Sequence, residues 1–337
     1  MASNSIPSIM KGVVIEKTGG PDVLQYKTDL PVPVPKDGEV LVKNEFIGIN
    51  FIDINFRSGL YPIPLPYIPG VEAEGTIVST SSSGQIYNLK PGDRVAYIGN
   101  GTYAEYSACP ASKVYPLPPN LEPSIAAAAI SQGVTALTFI NKSYHVQKDD
   151  WILVQGAAGG VGLWLCQLLR AVGAKVIGTA RTDEKMKLAK KNGAEFVLNY
   201  STEDVAAKVM DITGGKGVAA VFDSIGLSTF SSSLQALAQD GTMVSIGNTS
   251  GAVPPFKITD LSAKNLRLLK PSVFGYLRTR EEFVRWAERL FGLVAKDEEL
   301  RKGVKGMVWK TYELQDAAKA HGDLEGRKSS GKLLLRV

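Results

Sequence analysis

Residues 152–169 read Ile152-Leu153-Val154-Gln155-Gly156-Ala157-Ala158-Gly159-Gly160-Val161-Gly162-Leu163-Trp164-Leu165-Cys166-Gln167-Leu168-Leu169. A short apolar strand runs into a glycine turn and then into an amphipathic helix, the context that a dinucleotide fingerprint demands. In a G-x-G-x-x-G frame the three positions are Ala157, Gly159 and Gly162, so alanine replaces the first glycine. Gly159 lets the backbone approach a pyrophosphate, the helix N-terminus near Gly160 supplies amide donors, and Gly162 lets the helix pack on the sheet. A glycine cluster by itself is a weak signal, since tight turns use glycine without binding anything. Strand, turn, helix and the following strand in register make a nucleotide site the expectation here.

Beyond this stretch, apolar strands at Lys175-Val176-Ile177-Gly178, Phe196-Val197-Leu198, Ala219-Ala220-Val221-Phe222 and Met243-Val244-Ser245-Ile246 alternate with helical runs. Two of those runs, 161–172 and 184–192, close on Gly173 and Gly193. Such alternation predicts a parallel sheet with crossover helices. Before it, from Lys11 to about Pro119, short β-rich runs (Val40–Lys43, Gly75–Val78, Arg94–Tyr97, Tyr103–Tyr106) are punctuated by Lys36-Asp37-Gly38 and Pro91-Gly92-Asp93, which predicts an antiparallel, barrel-like domain. The segment from about Gly275 carries a helix at Glu281–Phe291, another around Leu314–Ala320 and a final strand, Lys332–Leu335. It is too small to stand alone and is expected to rejoin the first domain.

The chain has 337 residues, 44% hydrophobic and 21% charged, with a formal charge of +5. That length suits two domains, and the composition excludes a disordered chain and a disulfide scaffold. Cys109, Cys166, His145 and His321 are the only Cys and His, too few for a four-ligand structural zinc site. The two histidines make no plausible catalytic triad, and both cysteines read as small buried hydrophobes. No apolar run follows the N-terminus as in a secretory signal. The most apolar segment, Ile125–Ile140, is interrupted at Ser131-Gln132-Gly133 and is too short to span a bilayer. A cytoplasmic location is the expectation, with no membrane partner.

The end of the second strand decides which dinucleotide is expected. About 20 residues past the fingerprint, a carboxylate would bond the ribose hydroxyls of NAD. Here the strand ends in Ala180-Arg181-Thr182, with Lys185 one turn on. Two cations stand where a 2′-phosphate would lie, so NADPH is favoured over NADH.

Several further strings carry a resemblance: Gly48-Ile49-Asn50-Phe51-Ile52-Asp53, Arg57-Ser58-Gly59-Leu60-Tyr61-Pro62, Lys90-Pro91-Gly92-Asp93-Arg94-Val95, Phe222-Asp223-Ser224-Ile225-Gly226 and Gly247-Asn248-Thr249-Ser250-Gly251. Together with 157–162 they resemble the quinone oxidoreductases related to zeta-crystallin, the zinc-free branch of the medium-chain dehydrogenase/reductase superfamily, and most closely the bacterial and fungal members. The resemblance implies an α/β protein with a GroES-like β-rich catalytic domain (1–133 and 275–337) and a Rossmann domain with a doubly wound parallel sheet (134–274), the cofactor lying between them. It implies Asn50 and Thr135 at the nicotinamide end, Gly159, Gly160 and Val161 at the pyrophosphate, and Lys185, Tyr200 and Arg327 at the 2′-phosphate, where Arg181 is an unusual addition. Ser224, Ile246, Gly247 and Asn248 match positions lining nicotinamide and ribose. Zinc-dependent members carry Cys where this chain has Asn50 and His where it has Val71, so no metal is expected, and Glu72 is expected to be bonded inside the domain.

The activity implied is hydride transfer from NADPH to a quinone, which leaves an oxyanion that needs alignment and donors more than a strong base. Asn50, Tyr61 and Lys270 are the expected catalytic donors; Lys270 stands where relatives often have Arg, whose planar fork an ammonium cannot reproduce. A reductase of α,β-unsaturated carbonyls is an alternative with the same hydride geometry. From another class, zeta-crystallin relatedness admits AU-rich RNA binding regulated by NADPH, with nuclear as well as cytoplasmic location; the basic residues Lys264, Arg267, Lys270, Arg278, Arg280, Arg285 and Arg289 motivate it. Relatives are commonly homodimers joined through Rossmann sheet edges, and 243–247 is the candidate edge.

Overall fold

The strand Trp151–Gln155 that precedes the glycine turn lies in the middle of a six-stranded parallel sheet. The next two strands in the chain, Lys175–Ala180 and Phe196–Asn199, extend the sheet to one side. Val218–Asp223, Leu237–Ser245 and Arg267–Leu269 extend it to the other. This is the doubly wound order, and its reversal point falls between Trp151–Gln155 and Val218–Asp223, where α/β sheets open a crevice at their carboxyl ends. Ile152, Leu153, Val154, Ala220, Val221 and Phe222 are fully buried, as continuous apolar strands covered on both faces should be. The helix Gly160–Val172 buries Leu163 through Leu169. A Cβ on Gly162 would lie 2.3 Å from the Gly156 carbonyl oxygen, so glycine alone allows the helix this close to the turn.

The computed structural model describes residues 6–337. The chain divides into two units: this sheet and its helices belong to Gln132–Arg278, and the other unit combines the chain up to Ser131 with Thr279–Val337. In that other unit a seven-stranded sheet runs in the order Val308–Glu313, Lys332–Arg336, Glu39–Ile49, Glu72–Thr80, Arg94–Ile98, Val114–Pro116, with Tyr106–Pro110 also paired to Glu39–Ile49. The tail strand lies antiparallel to the end of Glu39–Ile49, with Leu333 opposite Ile49 and Leu335 opposite Ile47. Leu333 and Leu335 join Val40, Val42, Ile47, Tyr97 and Tyr103 in one buried core. No helix among the described residues is long and apolar enough to cross a membrane.

Local differences from the sequence expectation have identifiable causes. The strand expected at Tyr103–Tyr106 starts only at Tyr106 and runs to Pro110, because Tyr103 and Ala104 are committed to bonds with Pro69 and Thr102 instead. Residues 51–58 form a helix that the sequence reading passed over: Ile52, Ile54 and Phe56 alternate as in a strand, but Asn50 and Asp53 cap a helix. The edge of the parallel sheet is Arg267–Leu269, which covers Leu237–Ser245, so the candidate edge at 243–247 lies one strand inward. Val308–Glu313 also went unread, since its largely exposed Trp309, Lys310 and Thr311 give no apolar pattern.

Because Leu335 is fully buried where the tail meets the first sheet, Leu335→Ala is expected to cost about 2–5 kcal/mol. Urea denaturation checks this; a loss within about 0.5 kcal/mol would mean that the tail strand does not hold that core.

Candidate functional site

Every sequence-predicted residue of the parallel-sheet unit except Thr135 lies at or just beyond the carboxyl ends of its strands, in the turns that follow or in the first turn of the next helix. Gly159 is the N-cap of the helix Gly160–Val172, with extended backbone (φ −80°, ψ 170°). The first intrahelical bond runs from the Leu163 amide to the Gly159 carbonyl. The amides of Gly160, Val161 and Gly162 precede it and stand outside the intrahelical ladder, at the positive end of the helix dipole. Thr135 is buried on the helix Ile125–Thr138.

Arg181 and Tyr200 each follow the last residue of neighbouring strands, where Asn199 pairs with Ala180. Both are exposed, and Lys185 is half-buried in the first turn of the helix Asp183–Lys191, which Thr182 caps. The residue at the strand end itself, Ala180, is buried and carries no carboxylate. Arg327, with a left-handed backbone at φ 55°, belongs to the other unit, just past the helix Ala317–Glu325.

Sequence reasoning gave no role to Asp223, yet it organises the far half of this edge. Its fully buried carboxylate accepts hydrogen bonds from the Ile225 and Gly226 amides at 2.8 and 3.1 Å, from the Thr229 hydroxyl at 2.7 Å and from the Ser233 hydroxyl at 2.9 Å. Gln155 donates to Ser233 at 3.1 Å and accepts from Thr179 at 2.7 Å. Three strand ends are thereby tied into one chain of satisfied polar groups, which rigidifies the loops that follow them. The Ile246 amide bonds the Asp223 carbonyl at 2.6 Å, and the Ser224 hydroxyl bonds the Gln155 carbonyl at 3.1 Å, which brings Ser224 and 246–248 together. Lys270 donates to the Ile246 carbonyl at 3.0 Å. Partial desolvation lowers the Lys270 pKa, and the Asp223 carboxylate opposes that shift.

In the other unit, Asn50 ends its strand and begins the helix Phe51–Ser58. Its amide nitrogen donates to Glu72 Oε1 at 2.6 Å, and its backbone N–H donates to Asp53 Oδ2 at 2.8 Å. Lys332, the first residue of the tail strand, donates to Asn50 Oδ1 at 3.0 Å, to Glu72 Oε1 at 2.5 Å and to the Ile49 carbonyl at 3.2 Å. Glu72 Oε2 accepts from the Ser131 amide at 2.8 Å. Both Lys332 and Glu72 are fully buried. This donor set does not fit a zinc ion: Val71 offers no ligating atom, Asn50 is engaged by Lys332 and Glu72, and a dication beside Glu72 would meet an ammonium. Tyr61 is 37% exposed and packs edge-on against Phe56, with ring centroids 6.0 Å apart.

Asp53 continues inward. Its Oδ2 accepts from Tyr103 at 3.2 Å, Tyr103 lies 3.0 Å from His321 Nε2, and Arg57 lies 3.4 Å from His321 Nδ1. Arg57 has only donors, so Nδ1 accepts and Nε2 carries the proton towards Tyr103. Burial pushes the Asp53 carboxyl up to about 7, opposed by its bond from the Asn50 amide and by Lys332. Burial, with the Arg57 guanidinium alongside, holds His321 down at about 3.

Among proteins of known sequence and structure, the family model described as "Alcohol dehydrogenase GroES-like domain" matches residues 36–119, and that described as "Zinc-binding dehydrogenase" matches 160–290. A probable quinone oxidoreductase of Schizosaccharomyces pombe is 42% identical over 325 residues, covering 96% of this chain and 96% of that protein. The structure of Escherichia coli quinone oxidoreductase complexed with NADPH is 40% identical with a TM-score of 0.91, covering 97% of this chain and 100% of that one. A 2-haloacrylate reductase from Burkholderia sp. is 33% identical, covering 97% of this chain and 99% of that protein.

Because the folded pKa of His321 lies below its ordinary 6.5, the unfolded chain binds more protons between pH 6.5 and about 3. The stability contributed by neutral His321 is therefore complete above about pH 6.5 and is lost as pH falls through that window. Asp53, shifted upward, acts in the opposite sense, so the informative quantity is a difference between variants. The gap in urea midpoint between wild type and His321→Gln is expected to narrow from pH 7 to pH 4. A gap that is constant or widens on acidification would contradict the assignment.

Proposed function

The chain belongs to the quinone oxidoreductases of the medium-chain dehydrogenase/reductase superfamily, and from that premise we propose that it transfers hydride from NADPH to a quinone without a metal. One observation carries the choice of cofactor. The carboxyl edge of the parallel sheet offers helix-terminal amides for a pyrophosphate and, one strand over, Arg181 and Lys185 where an NAD site would need a carboxylate.

Gly159, Gly160 and Val161 would hold the pyrophosphate through backbone amides. Arg181, Lys185 and Tyr200, with Arg327, would hold the 2′-phosphate. Thr135, Ser224, Ile246, Gly247, Asn248 and Asn50 would line the nicotinamide end. NADPH, when bound, supplies the hydride; the chain's own work is to orient both reactants and to meet the charge that appears on the substrate oxygen. Asn50, Tyr61 and Lys270 serve as donors for that oxygen. Lys270 has one N–H engaged by the Ile246 carbonyl, which leaves the ammonium two more protons to offer.

Five of the basic residues that motivated an RNA-binding reading have partners within the fold. Lys264 donates to the Gln235 and Leu237 carbonyls, Arg267 to Asp240 and Arg280 to Ala111, while Arg285 and Arg289 lie against Trp286. A cytoplasmic homodimer completes the proposal, the second copy pairing along the sheet edge at Arg267–Leu269, whose outer side has no strand neighbour among the described residues.

Steady-state assays with 1,2-quinones, 1,4-quinones and alkenals test the substrate class. NADPH oxidation with a quinone and at least about tenfold lower kcat/KM with alkenals is expected; alkenal preference or no turnover with any quinone would refute it. In Arg181→Ser/Lys185→Ser, KM for NADPH is expected to rise about tenfold or more with KM for NADH within about twofold. Equal changes for both cofactors would refute the phosphate assignment.

A further inference from the structure

We infer that Lys332 is a positioning residue: with Glu72 it fixes which end of the Asn50 amide points inward, and so holds Asn50 in the orientation that the proposed hydride transfer uses. The inference rests on that functional reading for Asn50 and adds a residue that contacts neither substrate nor cofactor in it.

Leu333 pairs with Ile49, so Lys332 comes opposite Asn50 at the end of the same ladder. Its ammonium carries three protons and no lone pair, and three acceptors surround it: the Ile49 carbonyl at 3.2 Å, Asn50 Oδ1 at 3.0 Å and Glu72 Oε1 at 2.5 Å. The ionised carboxylate can only accept. Asn50 is thus set between a pure donor and a pure acceptor, and its amide has one orientation that satisfies both. Turning it over would face N–H against ammonium and C=O against carboxylate in a site with no solvent exposure at Lys332 or Glu72.

The frame around the amide is rigid on its other sides. Glu72 Oε2 is held by the Ser131 amide at 2.8 Å. A Cβ on Gly48 would lie 2.3 Å from Glu72 Oε1, so the carboxylate packs directly on the strand backbone. The Asn50 backbone is pinned by Asp53. A side chain so constrained meets a developing charge without reorganising.

A merely structural ion pair predicts different behaviour, and paired substitutions separate the two. Lys332→Met leaves a buried carboxylate without its cation, so the thermal midpoint is expected to fall by about 5 °C or more. Lys332→Met/Glu72→Gln removes both charges and should regain most of that loss. In the double variant, however, the carboxamide that replaces the Glu72 carboxylate must keep its oxygen on the Ser131 amide, which turns its NH2 group towards Asn50 and inverts the Asn50 amide. The expected result is kcat with a quinone lowered about tenfold or more, with the NADPH Kd from fluorescence titration within about threefold of wild type.

The Asn50 side-chain NMR signal, identified by its loss in Asn50→Ala, reports orientation without turnover. It should shift in the double variant. This holds even if quinones prove to be the wrong substrates, so failure of the functional reading and failure of the positioning role remain distinguishable. A double variant with restored stability, wild-type kcat and an unmoved Asn50 signal would overturn the inference.

Discussion

The buried ammonium of Lys332 is the constraint on which the GroES-like unit turns. It joins the last strand of the chain to the end of Glu39–Ile49 and the start of Glu72–Thr80, and through Glu72 it reaches Ser131 on the helix Ile125–Thr138. Glu74, two residues along the same strand, accepts from the Ser124 and Ala127 amides at the start of that helix. Both carboxylates are buried, and each accepts from amides, with the Lys332 ammonium added at Glu72. Removing one partner from such a set strands a charge, whereas replacing the whole set can be nearly neutral. Its value therefore lies in what it fixes: the tail cannot detach without exposing Leu333 and Leu335, and Asn50 cannot rotate without opposing like groups.

The Rossmann unit solves a parallel problem with neutral donors. Loops at the carboxyl end of a parallel sheet are the least supported part of the fold, yet they must hold fixed positions to bind a cofactor. Asp223 meets that need by accepting two amides and two hydroxyls, with Gln155 and Thr179 extending the chain across neighbouring strands. The glycine turn and the 246–248 loop are consequently braced against one buried carboxylate. In the proposed site the 2′-phosphate end would be built otherwise, from Arg181 just past its strand and Lys185 in the helical turn that follows, where solvent screening makes charge count less for stability and more for selection between cofactors.

What the sequence made legible follows from how local each signal is. The turn 156–162 was readable because strand, glycines and helix are contiguous, and Arg181 because its place is fixed by distance from that turn. The capped helix at 51–58 was hidden by the alternation of Ile52, Ile54 and Phe56. Lys332 was not readable at all: before an apolar strand a lysine looks like a solvated strand end, and its partners, Asn50 and Glu72, lie 282 and 260 residues away. The Asp53–Tyr103–His321–Arg57 chain is equally non-local, and the zinc-dependent pattern pointed only to what Asn50 and Val71 lack. Tyr61, packed edge-on against Phe56, keeps a partly exposed ring.

The proposed reaction moves a hydride from the C4 position of NADPH directly to a quinone. Single-turnover mixing of the NADPH complex with a 1,4-quinone, using NADPH deuterated on one or the other face of C4, tests it most directly. The expected result is loss of the reduced-nicotinamide absorbance, slowed by deuterium on one face and not on the other. Absorbance unchanged by the quinone, or an equal rate with both deuterated forms and with undeuterated NADPH, would contradict it.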